Sequence, residues 1–305
     1  MIPVSVKPRF PPLEGPRLPC PPLGRPSSPL TKKICFYIHE KILRPLSAYY
    51  CHFRGITSDP QACILPFGLV LKIGPRVREH EGLAMNLARA MGVPAPRFIS
   101  YGEPPPDYHD IYAMPSILMT RLPGTELDRL EPDEVDLNVI REDLVAILAS
   151  MRRFASPWDD AVCGVDGGGI YGPLIPWVPL PPFMNEAMFY DSIGRLGGLS
   201  RTRQSEPDLA AAIEAFFALP PHAIVFTHGD LQKHNIMVGD DGHICGIFDW
   251  EAAAWLPEYW EVSIVALLHG NRWGAFLNET VTSKVYDAEV QGNRAMYCLL
   301  GDSLQ

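Results

Sequence analysis

Between Thr227 and Glu251 the chain packs a carboxylate, a carboxamide and a second carboxylate into one short segment whose flanks read as strands. Ala223, Ile224, Val225 and Phe226 form an apolar run that ends in a polar loop. Ile236-Met237-Val238, the turn-forming Gly239-Asp240-Asp241-Gly242 and the run from His243 to Phe248 together predict a hairpin. A hairpin folds its ends together, so Asn235 and Asp249 are expected side by side, with Asp230 projecting from the loop that enters the pair. An amide oxygen and a carboxylate suit Mg²⁺, a hard ion that keeps several waters and binds substrate phosphates. Asp230 is then free to orient a hydroxyl and accept its proton as a phosphoryl group leaves ATP. Each residue alone reads better as part of an Asp/Gly-rich turn flanked by ordinary strands; their joint spacing is what points to chemistry.

The wording of the segment, His228-Gly229-Asp230-Leu231, then Asn235-Ile236, then Ile247-Phe248-Asp249-Trp250-Glu251 and on to Pro257-Glu258-Tyr259-Trp260-Glu261, resembles the aminoglycoside phosphotransferase and choline kinase-like family, and within it a large fungal group. The resemblance implies a protein-kinase-like fold. Residue by residue, it implies that Asp230 is the catalytic base, that Asn235 and Asp249 are metal ligands, and that His228 braces the loop. His228 read without the family is a satisfied structural histidine, which is nearly the same role.

Upstream, Gly68-Leu69-Val70-Leu71-Lys72-Ile73-Gly74 is an apolar strand carrying one lysine, costly unless the ammonium finds an anion. Lys72 resembles the family lysine that contacts the α- and β-phosphates. The stretch from Glu79 to Met91 places Leu83, Leu87 and Met91 on one helical face and ends at Gly92, a suitable residue just past a helix end. Glu81 is the better match for the glutamate that pairs with Lys72, with Glu79 as the alternative; a surface lysine beside a solvated acidic helix is the competing reading. Gly92-Val93-Pro94-Ala95-Pro96 is similar to the family connector into the next strand. Residues 117–124, an apolar strand broken by Pro123-Gly124, resemble the hinge between lobes. The adenine is expected against Met119, with backbone hydrogen bonds near Thr120 and Leu122.

The phosphate-covering loop is the point of departure from the family pattern. No G-x-G-x-x-G precedes Lys72, and the candidate hairpin, residues 55–67, contains Pro60 and Pro66 and little alternation. A chain of this kind is either a nucleotide-dependent enzyme with a glycine-poor loop or a non-catalytic nucleotide-binding or scaffolding module.

A chain of 305 residues with 47% apolar content has length for two lobes. Its seven cysteines are scattered without C-x-x-C spacing, which argues against a disulfide framework or zinc site and for a reducing compartment, the cytoplasm by default. No apolar run approaches the roughly 20 residues of a membrane span, so no membrane partner is expected. Residues 1–30 hold ten prolines and read as a disordered or polyproline-like tail. Residues 1–33 carry net charge +5, leaving −14 for the remainder of a chain at −9. So acidic a body argues against nucleic acid as a partner.

Further along, Leu137, Ile140, Leu144, Ile147, Met151 and Phe154 predict one long helix. Ser205 with Asp208 suggests a capping box ahead of a helix over 209–219, and Pro257 suggests the first turn of a helix that buries Trp260, Ile264 and Leu268. Residues 164–182 contain too many breakers for a regular element; such insertions line the acceptor site in relatives, although a surface loop without function fits equally. Asp191, Glu251, Glu258 and Glu261 with Trp255 and Trp260 would form an acidic aromatic pocket for an amine, unless the tryptophans are core and the glutamates solvated. The expected architecture is α+β and bilobal: a tail over 1–34, a small antiparallel-sheet lobe over 35–122 and a mostly helical lobe over 123–305. The expected reaction is Mg²⁺·ATP-dependent phosphorylation of a small-molecule hydroxyl, with an amine-bearing acceptor as a candidate and no obligate protein partner.

Overall fold

Lys72 lies on the second strand of an antiparallel sheet that is covered by helices on both faces. The computed structural model describes residues 16–303 except 58, 60, 111, 173–178, 197, 269–271 and 283–284. In chain order the first lobe contains α1 (Pro29–Ile38), a π turn (His39–Leu43), α2 (Arg44–Arg54), β1 (Ala62–Leu65), β2 (Leu69–Ile73), α3 (Glu79–Ala90), β3 (Phe98–Gly102) and β4 (Ser116–Thr120). The strands are ordered β1-β2-β4-β3 and every pair is antiparallel. Alternation along β2 sends Leu71 and Ile73 to one face, where they bury with Cys63 and Leu65 against Leu43. The opposite face carries Lys72 and, from β4, Ile117 and Met119, which join the core under α3.

The remainder contains β5 (Thr125–Glu126), α4 (Leu137–Arg152), β6 (Cys163–Gly164), α5 (Glu186–Leu196), α6 (Leu199–Ser205), α7 (Pro207–Phe217), β7 (Ile224–Thr227), β8 (Ile236–Val238), β9 (Ile244–Ile247), β10 (Ala254–Pro257), α8 (Trp260–Leu268), α9 (Arg272–Phe276) and α10 (Asp287–Ser303). Two small sheets, β6-β10-β7 and β5-β8-β9, lie among these helices. The α+β architecture is as expected, and the chain crosses from the first sheet to β5 through residues 121–124, where the hinge was expected. Asp136 caps α4 by accepting from the Asn138 amide, and Gly92, at φ +85°, follows the last turn of α3. One continuous core joins Leu83 and Met85 of α3 to Ile140 and Leu144 of α4, Trp255 of β10 and Ile264 of α8. Among the described residues no helix is long and apolar enough to cross a membrane, and none of the cysteines forms a disulfide.

Four sequence expectations are corrected here. Pro29–Ile38 is helical although it begins inside the segment read as a tail: Ser28 accepts from the Thr31 amide and Pro29 occupies the first turn, so proline starts the helix there. Residues 1–15 lie outside the described residues. The segment 55–67 is not a hairpin. Gly55, at φ +63°, terminates α2, and strand begins only at Ala62, so the hairpin is the pair β1–β2 closed by Phe67 and Gly68. Ser205 ends α6 and does not cap α7, which opens on Pro207. Pro257 closes β10, while α8 starts at Trp260; Trp260 and Ile264 are buried as expected.

The α1 helix is fixed to the sheet by a close approach and a buried imidazole. A Cβ on Gly102 would stand 2.7 Å from the Phe36 backbone, so Gly102→Val is expected to cost about 2 to 3 kcal/mol, read as a lower midpoint in urea unfolding. His39 is hydrogen-bonded through Nδ1 to Ser116 (2.8 Å) and through Nε2 to Ser100 (2.9 Å), and burial depresses its pKa to about 4. The unfolded chain binds this proton near pH 6.5 and the native one only near 4, so stability falls as pH drops through that window. His39→Gln should flatten this part of the stability profile, measured by unfolding between pH 7 and 4.5.

Candidate active site

Apolar residues all along β7 seat that strand in the core and deliver the loop that follows it, Thr227 to Asn235, to the cleft. Gly229 permits the approach: at φ +80° a Cβ there would meet the Ala252 carbonyl at 2.4 Å. The imidazole of His228 accepts from the Asp230 amide at Nδ1 (3.2 Å) and therefore donates from Nε2 to the Phe248 carbonyl (2.9 Å). That pairing fixes the orientation of the ring and ties the loop to the end of β9. Asn235 donates through Nδ2 to the Asp230 carbonyl (2.9 Å) and to its carboxylate Oδ2 (3.3 Å).

The hairpin β8–β9 has the expected pairing, Ile236 with Ile247 and Met237 with Gly246. The Phe248 amide donates to the Asn235 carbonyl (3.0 Å), which places Asp249 next to Asn235 across the open end of the hairpin. Asp249 adopts φ +63°, a conformation that Asp tolerates better than most side chains and that turns the chain abruptly into the 3₁₀ turn at Trp250–Ala252. Its carboxylate accepts from Lys72 at 2.6 Å. The same ammonium lies 3.0 and 3.1 Å from the two Glu81 oxygens and 3.3 Å from Glu251, whose other oxygen meets Arg76 at 2.8 Å. Burial opposes the charge on Lys72, but the surrounding carboxylates outweigh it and raise its pKa. Burial also opposes the charge on Asp249, where Lys72 prevails and holds the pKa down; on fully buried Glu81, burial prevails and lifts it.

The sequence-derived residues Lys72, Glu81, His228, Asp230, Asn235 and Asp249 thus form one connected set. Glu79 is excluded as the partner of Lys72, because it accepts from the Ser27 amide and pairs with Lys32. The hinge residues stand differently. Thr120 spends its amide on the Arg97 carbonyl (3.1 Å) and its hydroxyl on the Arg97 amide (2.8 Å), so its N–H is not free for an adenine. Met119 is buried in the core, and Leu122 packs on Gly246, where a Cβ would lie 2.6 Å from its Cδ1.

The acidic aromatic pocket does not assemble. Trp255 and Trp260 are core residues, Asp191 pairs with Arg195 on the surface, Glu258 accepts from Tyr286, and Glu251 belongs to the Lys72 cluster. A cavity of about 630 Å³ among α5, α6 and α7 lies apart from the Lys72 cluster, and its charges, Asp191 with Arg195 and Glu214 with Arg203, neutralise one another. Glu261 has a role that sequence reading missed. Buried on α8, it accepts from the His228 amide (2.6 Å) and the Gly229 amide (3.2 Å), and burial raises its pKa against the pull of those donors. The signal was a glutamate inside an otherwise apolar helix start.

A model of the phosphotransferase enzyme family matches residues 68–284, more than two thirds of the sequence. The chain belongs to the phosphotransferase enzyme family. No curated protein matches it. Among solved structures this family member is similar to a thermostable mutant of aminoglycoside phosphotransferase APH(4)-Ia in its apo form, with TM-score 0.56 and 12% identity over 85% of this chain and 92% of that one. A ternary complex of that enzyme with ADP and hygromycin B gives TM-score 0.55 at 12% identity, over 85% and 89% of the two chains. Aminoglycoside phosphotransferase APH(4)-Ia itself gives 0.54 at 13%, again over 85% and 89%. At this identity the likeness establishes the protein-kinase-like fold.

Removal of the Glu261 carboxylate leaves two buried amides without an acceptor. Glu261→Ala is expected to lose about 2 to 4 kcal/mol in chemical denaturation and Glu261→Gln about half of that, since the amide keeps one acceptor oxygen.

Proposed function

We propose that the chain transfers the γ-phosphoryl group of ATP, with Mg²⁺, to a hydroxyl of a small molecule. The observation that carries this reading is the position of Lys72, which reaches Glu81 on α3 and Asp249 beyond β9 at once, while Asp249 is joined through Phe248 and Asn235 to Asp230. Asn235 and Asp249 suit Mg²⁺: the amide turns its nitrogen towards Asp230, leaving its oxygen for a cation, and Asp249 carries a partly exposed carboxylate. When bound, the ion would neutralise phosphate oxygens in the transition state.

The remaining work belongs to the side chains. Lys72 stays protonated and supplies a fixed positive charge for the phosphates, with Glu81 holding it in place. Asp230 is half-buried and reaches the cleft, and its backbone is set by His228 and its carboxylate by Asn235. It orients the acceptor hydroxyl and takes the proton as the new oxygen–phosphorus bond forms. Cysteines that form no disulfide suit a reducing compartment such as the cytoplasm.

A second reading rests on one observation: among the described residues no strand precedes β1, so helix α2 stands where a phosphate-covering hairpin would begin. This favours a non-catalytic nucleotide-binding or scaffolding module. Thermal-shift measurement tests nucleotide binding, because a ligand of the native state raises its melting temperature, and turnover separates an enzyme from a non-catalytic module. The enzyme should gain stability with millimolar ATP and Mg²⁺; no gain opposes the phosphotransferase reading. Asp230→Asn should keep that gain and lose turnover by about 100-fold or more in ATP consumption with amino alcohols, sugars and aminoglycosides as acceptors. An unchanged rate removes Asp230 from the role of base.

A further inference from the structure

The helical segment that precedes the first sheet buries one side and exposes apolar residues on the other. Its inner side, Phe36, His39, Ser47 and Cys51, is buried on the sheet. Its outer side should be polar, yet Leu30, Ile34, Ile38, Ile42, Leu46, Tyr49 and Phe53 run along it in steps of three or four and are all exposed, with Ile42 at 58%, Tyr49 at 69% and Phe53 at 78%. Steps of four drift by about 40° around an α-helix. The wider π turn at His39–Leu43 winds the row back, so one stripe persists from α1 into α2. A contiguous apolar face of this length on a protein surface marks an interaction site.

Charge identifies the occupant. The segment Pro29 to Arg54 carries five Lys/Arg and one Asp/Glu, and that acid, Glu40, is neutralised by Arg44 at 3.0 Å. Lys33, Lys41 and Arg54 are exposed beside the stripe, apart from the Arg44–Glu40 pair. Residues 1–54 have net charge +7, leaving −16 for the rest of the chain. A second copy docked stripe to stripe would bring these cations against their equivalents. We propose that α1 and α2 form a peripheral docking surface for an anionic lipid bilayer, with the isoleucine and aromatic side chains entering the interface and the flanking cations meeting the headgroups. The strongly acidic remainder is repelled from such a surface, which orients the molecule with the α1–α2 side inward. The proposal concerns surface attachment, not spanning, and revises the expectation of no membrane partner, which rested on the lack of a spanning segment.

The test is co-sedimentation of the full chain with phosphatidylcholine vesicles and with vesicles containing roughly 30% phosphatidylserine, at low and high salt. The wild type should partition onto the anionic vesicles, weakly onto the neutral ones, and less as salt rises. The exposed-residue variants Ile38→Glu/Ile42→Glu and Lys33→Glu/Arg54→Glu should each lower the partition coefficient about tenfold or more with an unchanged melting temperature. Equal or no binding to the two vesicle types overturns the proposal. So does a concentration-dependent dimer in sedimentation velocity that Ile42→Glu dissolves, which assigns the face to a second copy. Binding that emerges only after residues 1–15 are removed assigns it to the chain's own amino terminus and also overturns it.

Discussion

Lys72 is a single cation shared by carboxylates from both halves of the molecule: Glu81 from α3, and Asp249 and Glu251 from the segment beyond β9. None of these groups is placed cheaply. Glu81 is fully buried and Lys72 largely so, and a charge withdrawn from water needs a partner at contact distance to offset its lost hydration. Deleting any one member strands the others, which is why such a cluster holds its geometry so firmly. The position of α3, the strand register of β2 and the turn at Asp249 are therefore mutually dependent, and the rest of the site is built outward from them.

The loop after β7 is held by a different means. Its conformation is stabilised by hydrogen bonds to the backbone, with His228 bridging Asp230 and Phe248, and Glu261 accepting two adjacent amides. Backbone donors buried in this way cannot fall back on water, so the loop retains its shape without a ligand. Asp230 is consequently fixed through its main chain, while its half-buried carboxylate accepts from Asn235.

Much of this was legible in the residues because it is local. Asn235 and Asp249 are drawn together by a hairpin whose turn chemistry is explicit, and Lys72 is conspicuous as the one charge in an apolar strand. What escaped depends on distant packing. Glu261 sits 33 positions from His228, and its hold on that loop exists only once α8 is folded against it. Fully buried β10 has no alternation of polar and apolar residues to announce a strand. The prolines at 26, 29 and 45 obscured α1 and α2, although two of them occupy first-turn positions where proline favours a helix. The tryptophans offered as a cation-binding box were claimed by the core instead, as large aromatic side chains beside apolar strands usually are.

The core that unites α3, α4, β10 and α8 bears on how the molecule opens. In a protein whose halves are joined only by a linker, a nucleotide enters when the halves swing apart. Here such a swing would draw Leu83 and Met85 away from the aromatic and aliphatic residues they share with the larger half and wet an apolar seam. Rotation of one half against the other is accordingly opposed, whereas Phe67, at the exposed tip of the β1–β2 turn, stands outside that core.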